Sequence, residues 1–368
     1  MLTLNNQREY FKNLDFLRFI FAIIIIIIFH MSRIACVDIN SMPLFNEILI
    51  QTDNMNKIVE CFFILSGFML IISNVKDKNF IPFILSKFFR LSPTIIFCVF
   101  IFLILSFFKI SKFYFFNNIF SIFFLNGLEI GTNRSVFGSF GNVHSSWYVS
   151  VLIWVSLLYK YILKIYGEKC FNFIVPCIII SSIWINNNNF YTIIPGTILR
   201  GLYAIGIGCM LGVLYKNNCN FIKNSYNSPK AKFIFTLLEV STFIYFILTI
   251  CIAKIEKLSV SEFMFLFSII LFTFVIKKGL LSKLCNQTCL AYLGKFSYSI
   301  FISHCILLDV FRKYVFTTNF MAKCTNPGFI FVFSIICCIA FGIVTYFLIE
   351  KPCYQFYKNF LIRKENNI

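Results

Sequence analysis

The chain has 368 residues, 59% of them hydrophobic, with 51 Phe and a mean hydropathy of +0.83. A soluble domain of that length has nowhere to hide so much apolar surface, so the composition excludes a water-soluble globule and points to lipid as the solvent. A formal net charge of +18 would suit a nucleic-acid partner in a soluble protein, but here the placement of the basic residues argues for membrane topology instead.

Apolar runs fall near residues 16–34, 57–74, 92–109, 146–165, 170–186, 195–214, 233–253, 261–277, 292–311 and 328–349. Each is close to the ~20 residues a helix needs to cross a bilayer core, which predicts an all-α polytopic membrane protein of about ten transmembrane helices. No secretory signal with a small-residue cleavage site precedes the first run, so that run is read as a retained helix. With the N-terminus inside, 22 of the 33 Lys and Arg fall in inner segments and 10 in outer ones, and Arg200 lies within a span. That bias predicts both termini in the cytoplasm. Residues 1–350 are expected to form the transmembrane domain and 351–368 a short basic cytoplasmic tail, with no soluble esterase-like domain fused to them.

The first run, Leu14 to His30 (LDFLRFIFAIIIIIIFH), carries Arg18 near its start and His30 at its end. Ionisable groups inside a spanning helix are costly enough that they usually have a function. The second run begins VECFFILSGFML, with Glu60 in its first turn and Ser66-Gly67 at mid-helix. Glu60 admits a bland reading as a solvated group at the outer interface, and the Ser-Gly pair one as a close helix contact. The inner loop that follows ends KFFRLSP, where Pro93 suits a helix start. Lys87 and Arg90 there read either as snorkelling anchors or as the cationic mouth for an anionic co-substrate.

Residues 109–145 form a long outer segment, with FYFFNNIFSIFF at its Phe-rich part. It reads as a re-entrant or interfacial element over the site, or as an amphipathic helix lying on the membrane. The chain has 15 Cys, many within spans, where free Cys packs as a small hydrophobe. Cys285 and Cys289 have no His beside them to complete a zinc set, so no metal is expected.

In order and spacing, LDFLRFIF…FH, VECFFILSGF and KFFRLSP resemble the acyltransferase 3 family. So do SWYVSVLIW at Ser146–Trp154, LRGLYAIGIGCMLG at Leu199–Gly212, LGKFSYSIFISH at Leu293–His304 and IEKP at Ile349–Pro352. The resemblance implies an integral-membrane O-acyltransferase of the type that acetylates sugars of cell-surface polysaccharides such as O-antigen or capsule. Its donor would be acetyl-CoA, its acceptor a sugar or polysaccharide, and its home the bacterial inner (cytoplasmic) membrane.

On this resemblance His30 and Glu60 are the expected catalytic residues, and Arg18, Lys87 and Arg90 the expected donor-binding residues. Asp15, Ser66, His144, Trp147 and His304 would support them or the acceptor. The chemistry is consistent: a hydroxyl attacking a thioester must lose a proton, imidazole titrates in the right range, and guanidinium groups suit the phosphates of coenzyme A. An acyl-enzyme on Ser66 is conceivable, but direct transfer needs fewer assumptions.

Two features depart from the family. Its first-span Arg and His usually have ten residues between them, about 20° apart around a helix; here eleven intervene, Phe19 to Phe29, for about 120°. A one-residue π-bulge in that window would restore the register. Leu152 and Ile153 follow Val151 where one branch of the family has adjacent glutamates, so any role of those acids is absent. The competing readings are a secondary transporter or flippase with buried charges, against which no internal repeat is found, and a catalytically silent interaction protein that kept the fold.

Overall fold

The computed structural model describes residues 10–26, 54–73, 80–128, 142–188, 194–225, 228–251, 258–315 and 327–366. Of its described residues 88% are helical and none is in a strand. The helices are α1 (Lys12–Ile24), α2 (Ile58–Ile72), α3 (Phe80–Phe107), α4 (Phe115–Ile122), α5 (Ser146–Tyr166), α6 (Ile174–Asn187) and α7 (Gly196–Ser225). They continue as α8 (Pro229–Cys251), α9 (Val260–Ile276), α10 (Leu280–Leu284), α11 (Thr288–Leu293), α12 (Ser297–Tyr314), α13 (Pro327–Thr345) and α14 (Lys351–Asn366).

Six stretches are helical, long and apolar enough to cross a bilayer: Phe80–Phe107, Ser146–Asn172, Gly196–Asn218, Pro229–Ile250, Thr288–Tyr314 and Phe329–Asn359. The apolar helices Ile58–Ile72, Ile174–Asn187 and Val260–Ile276 are shorter. By that measure the described residues hold six candidate spans, not ten. At about 1.5 Å per residue, the 15 residues of α2 cover only ~22 Å of a hydrocarbon core ~30 Å thick. Each apolar run of the sequence nonetheless contains helix. The outward surface is rich in bare apolar side chains, such as Phe265, Phe233 and Ile180, all roughly 70% exposed, as expected of a lipid-facing wall.

α3 differs from the sequence reading in one respect. It starts at Phe80, so Pro93 lies inside it rather than at its head, and Lys87 and Arg90 are helical. Basic residues interrupt the hydropathy of residues 80–91 but not their helix propensity. Proline removes one helix N–H, which a spanning helix tolerates where side chains compensate. The carbonyl that Pro93 leaves without its N–H is that of Phe89; one residue before it, the Phe88 carbonyl accepts from the Ser92 hydroxyl at 2.8 Å.

The tightest seam is between α2 and α7. A Cβ on Gly208 would stand 2.0 Å from the Ile64 carbonyl oxygen, and one on Gly67 would stand 2.1 Å from the Ile205 carbonyl oxygen. The two backbones touch directly, the arrangement small residues permit between membrane helices. Gly67 therefore has the packing role its place in the Ser-Gly pair suggested. Gly208→Ala forces the helices apart and is expected to cost on the order of 1–3 kcal/mol or more. The midpoint of thermal inactivation of the solubilised protein should fall clearly; an unchanged midpoint would mean that the contact contributes nothing.

α4 sits in the long segment between α3 and α5. Phe115, Phe116 and Phe123 are bare on one side, while Asn118 and Ser121 are buried on the other. Asn118 Nδ2 donates to Asn142 Oδ1 at 2.8 Å, and Asn126 Nδ2 donates to Ser146 Oγ at 2.5 Å. Amides and hydroxyls thus tie the segment to the head of α5, with the Phe side turned outward.

Candidate active site

The sequence-derived residues fall into three groups. The first is a cationic centre built by α1 and α3. Arg18 Nη1 donates to Asp15 Oδ1, one helical turn earlier, at 2.8 Å. Tyr10, just before α1, has its pKa pushed up to about 12, by desolvation first and by the Asp15 carboxylate second. Asp15 is therefore an orienting partner for Arg18. α1 is pinned at this level because Gly294 of the LGKFSYS motif lies against the Asp15 backbone, where a Cβ would come within 2.4 Å of its carbonyl oxygen.

Lys87 of α3 feels the charges of both Arg90 and Arg18, which puts the three expected donor-binding residues within electrostatic reach of one another. Among the described residues neither Lys87 nor Arg90 forms an ion pair. Glu350 acts on Arg90 from a short π-helical turn, Tyr346–Glu350, and is itself held by the Ser299 hydroxyl, which donates at 2.5 Å. The Tyr298 hydroxyl donates to the Leu91 carbonyl at 2.5 Å. The IEKP and LGKFSYS motifs thus meet beside α3. Ser66 donates to the Phe62 carbonyl at 2.8 Å, and both Ser66 and Arg18 act on the hydroxyl of Tyr148.

The second group lies at the other end of α2. Glu60 is 2% exposed, and its carboxylate accepts from Arg200 Nε at 2.7 Å, from Arg200 Nη2 at 2.9 Å and from the Tyr203 hydroxyl at 3.0 Å. Such a two-point guanidinium–carboxylate pair is both strong and directional. Arg200 also donates to the Asn56 carbonyl at 2.5 Å and stacks over the Trp147 ring at 5.2 Å. This is a correction to the solvated-interface reading: Glu60 is buried and bound. Trp147 supports the pair. A carboxylate committed to three donors has little capacity left to take a substrate proton.

The third group is at the junction of α5 and α12. His304 is fully buried, with Nε2 3.9 Å from Cys305 Sγ; that sulfur lies 3.5 Å from Ser145 Oγ. His144, just before α5, keeps an exposed ring, but the protein around it lowers its pKa by desolvation, against the opposing pull of Asp309. Asp309, Arg312 and His304 each act electrostatically on His144.

His30 lies outside the described residues. The expected irregularity in α1 does fall within them: helical hydrogen bonding turns to the π type at Ile25 and Ile26, inside the Phe19–Phe29 window. Among the described residues no group of three or more His, Cys, Asp or Glu is placed to hold a metal ion.

Sequence reasoning missed Arg200, Tyr203, Tyr148 and the Glu350–Ser299 contact. A signal existed for the first. An arginine inside a span needs a counter-ion, and Glu60 was a carboxylate at matching depth in another span. No such rule points to the tyrosines.

Apolar helices gathered around a cluster of cations, with Arg18 and Lys87 half-buried and Arg90 exposed, fit a multi-pass membrane protein with a polar site. A family model described as an acyltransferase domain, that of acyltransferase 3, matches residues 11–347, nearly the whole chain. The chain belongs to that family and is a membrane acyltransferase. No curated protein and no solved structure shows a match to it.

Proposed function

We propose that the protein moves an acyl group, acetyl by preference, from cytoplasmic acyl-CoA to a hydroxyl of a cell-surface or lipid-linked sugar. The observation that carries this reading is that Arg18, Lys87 and Arg90, from two helices, lie within electrostatic reach of one another, with a carboxylate, Asp15, bound only to the first. Such a site attracts a polyanion, and the diphosphate of coenzyme A is the polyanion an acyltransferase meets. The count of basic residues places this end of the bundle in the cytoplasm. Ten spans with both termini inside fit the ten apolar runs, the shorter helices locally thinning the bilayer.

In this reading the cations bind the donor's phosphates, His30 takes the proton of the acceptor hydroxyl as it attacks the thioester carbonyl, and the thiolate of coenzyme A leaves. The Glu60–Arg200 pair holds the outer end of α2 against α7 and does not transfer protons. His144 and His304 flank the path by which the acceptor enters from outside. Ser66, which with Arg18 acts on the Tyr148 hydroxyl, supports the site from α2. The bacterial inner membrane is the compartment in which such a donor and acceptor meet across one bilayer.

Arg90→Ala tests the donor site. Acyl-CoA affinity should fall about 10-fold or more, and Arg90→Lys should restore only part of it because the planar fork is lost. Binding of acetyl-CoA to the solubilised protein is the measurement. Wild-type affinity in both variants would remove Arg90 from the site.

A further inference from the structure

The cationic centre does not end at Lys87. Phe80, Phe83 and Lys87 are spaced i, i+3 and i+7 along α3, so they share one face. Against that face α5 sets Lys160 and Lys164, one turn apart. The Lys164 ammonium lies 5.0 Å from the centre of the Phe80 ring, and Lys160 lies 5.7 Å from Phe80 and 4.8 Å from Phe83. Lys87 lies 5.6 Å from the same Phe83 ring. Three ammonium groups therefore share two aromatic rings, and the line continues through Lys87 to Arg90 and Arg18.

Bringing like charges together in a bundle that meets lipid is unfavourable unless something offsets it. Ring faces offset part of that cost. A ring face, unlike a carboxylate, leaves the ammonium charge in place. The two ends of the line also differ. Lys160 is buried, at 6% exposure, while Lys164 stands open at the rim. A ligand that fits must be an extended polyanion entering from the rim, with negative charge at two separated points.

We propose that Lys160 and Lys164 form a second anion subsite, which takes the ribose 3′-phosphate of the acyl-CoA donor while Arg18, Lys87 and Arg90 take its diphosphate. This rests on the donor reading above and extends it. Coenzyme A carries its phosphates in that arrangement, a diphosphate in the middle of the molecule and a monophosphate on the ribose beyond it. A donor without the ribose phosphate, such as 3′-dephospho-coenzyme A, would leave the α5 lysines without a ligand.

The test compares binding of coenzyme A and 3′-dephospho-coenzyme A to the full chain in detergent or nanodiscs. The wild-type chain should prefer coenzyme A about 10-fold or more, a tenfold preference corresponding to about 1.4 kcal/mol of phosphate contact. Lys164→Met, at an exposed position, and the double variant Lys160→Met/Lys164→Met should weaken coenzyme A binding and leave dephospho-coenzyme A binding unchanged, so that the preference shrinks toward one. Retained binding of the dephospho compound shows that each variant is folded. If Lys164→Met and the double variant keep the full preference, or if the wild-type chain shows none, the subsite is overturned while the donor reading stands. If the wild-type chain binds neither compound, the donor reading falls and the subsite with it.

Discussion

His30→Ala is expected to lower acyl transfer by at least ~100-fold while the chain still inserts and accumulates, the range in which a positioned general base acts. The attacking hydroxyl is a poor nucleophile until it loses its proton, and an imidazole near its ordinary pKa can accept that proton at neutral pH. The winding of α1 bears on this. Eleven residues between Arg18 and His30 would set them ~120° apart on a regular helix, and one residue of π winding would bring the offset back toward ~20°. Helical bonding of the π type sets in at Ile25 and Ile26, while His30 lies outside the described residues. Transfer is measured in membranes, normalised to the amount of inserted chain. Near-wild-type turnover in a well-expressed His30→Ala variant rules out the role.

Arg200→Ala should produce the largest loss of stability, about 3–5 kcal/mol, because it leaves the Glu60 carboxylate buried without its main counter-charge. Trp147 loses its stacking partner and Asn56 its donor in the same step. Replacing both members by apolar residues of similar size, Arg200→Met with Glu60→Leu, should recover much of that loss, since no uncompensated charge then remains. Thermal inactivation of the solubilised variants reads both effects. If the double variant is as unstable as Arg200→Ala but no worse, the cost lies in the lost contacts of Arg200 and not in a stranded carboxylate. Glu60→Gln separates the roles further. Retained turnover is expected of a holding residue, and loss of turnover at normal stability would make Glu60 a proton carrier.

Much of the fold was legible because lipid imposes a coarse rule: apolar runs become helices. The runs at 146–165 and 195–214 foreshadowed α5 and α7 well. The start of α3 was not legible, since Lys87 and Arg90 lower hydropathy while favouring helix, and Pro93 resembled a helix start. Arg18, Lys87 and Arg90 could be grouped beforehand because charge in a membrane is rare and must have a purpose. The Glu60–Arg200 pair spans 140 residues, and only the need of a buried guanidinium for a counter-ion hinted at it. The lysines over Phe80 and Phe83 left no trace in the sequence. Fifty-one phenylalanines make any Lys–Phe coincidence uninformative until two helices are placed side by side.

The central claim is that acyl groups reach a sugar through this chain. The most direct measurement is mass spectrometry of surface glycans from cells carrying the wild-type gene, lacking it, or lacking it and complemented with the His30→Ala variant. The expected result is a loss of one acetyl-sized mass unit per modified residue when the gene is removed, restored by the wild-type chain and not by the variant. Glycan spectra identical in all three strains would contradict it.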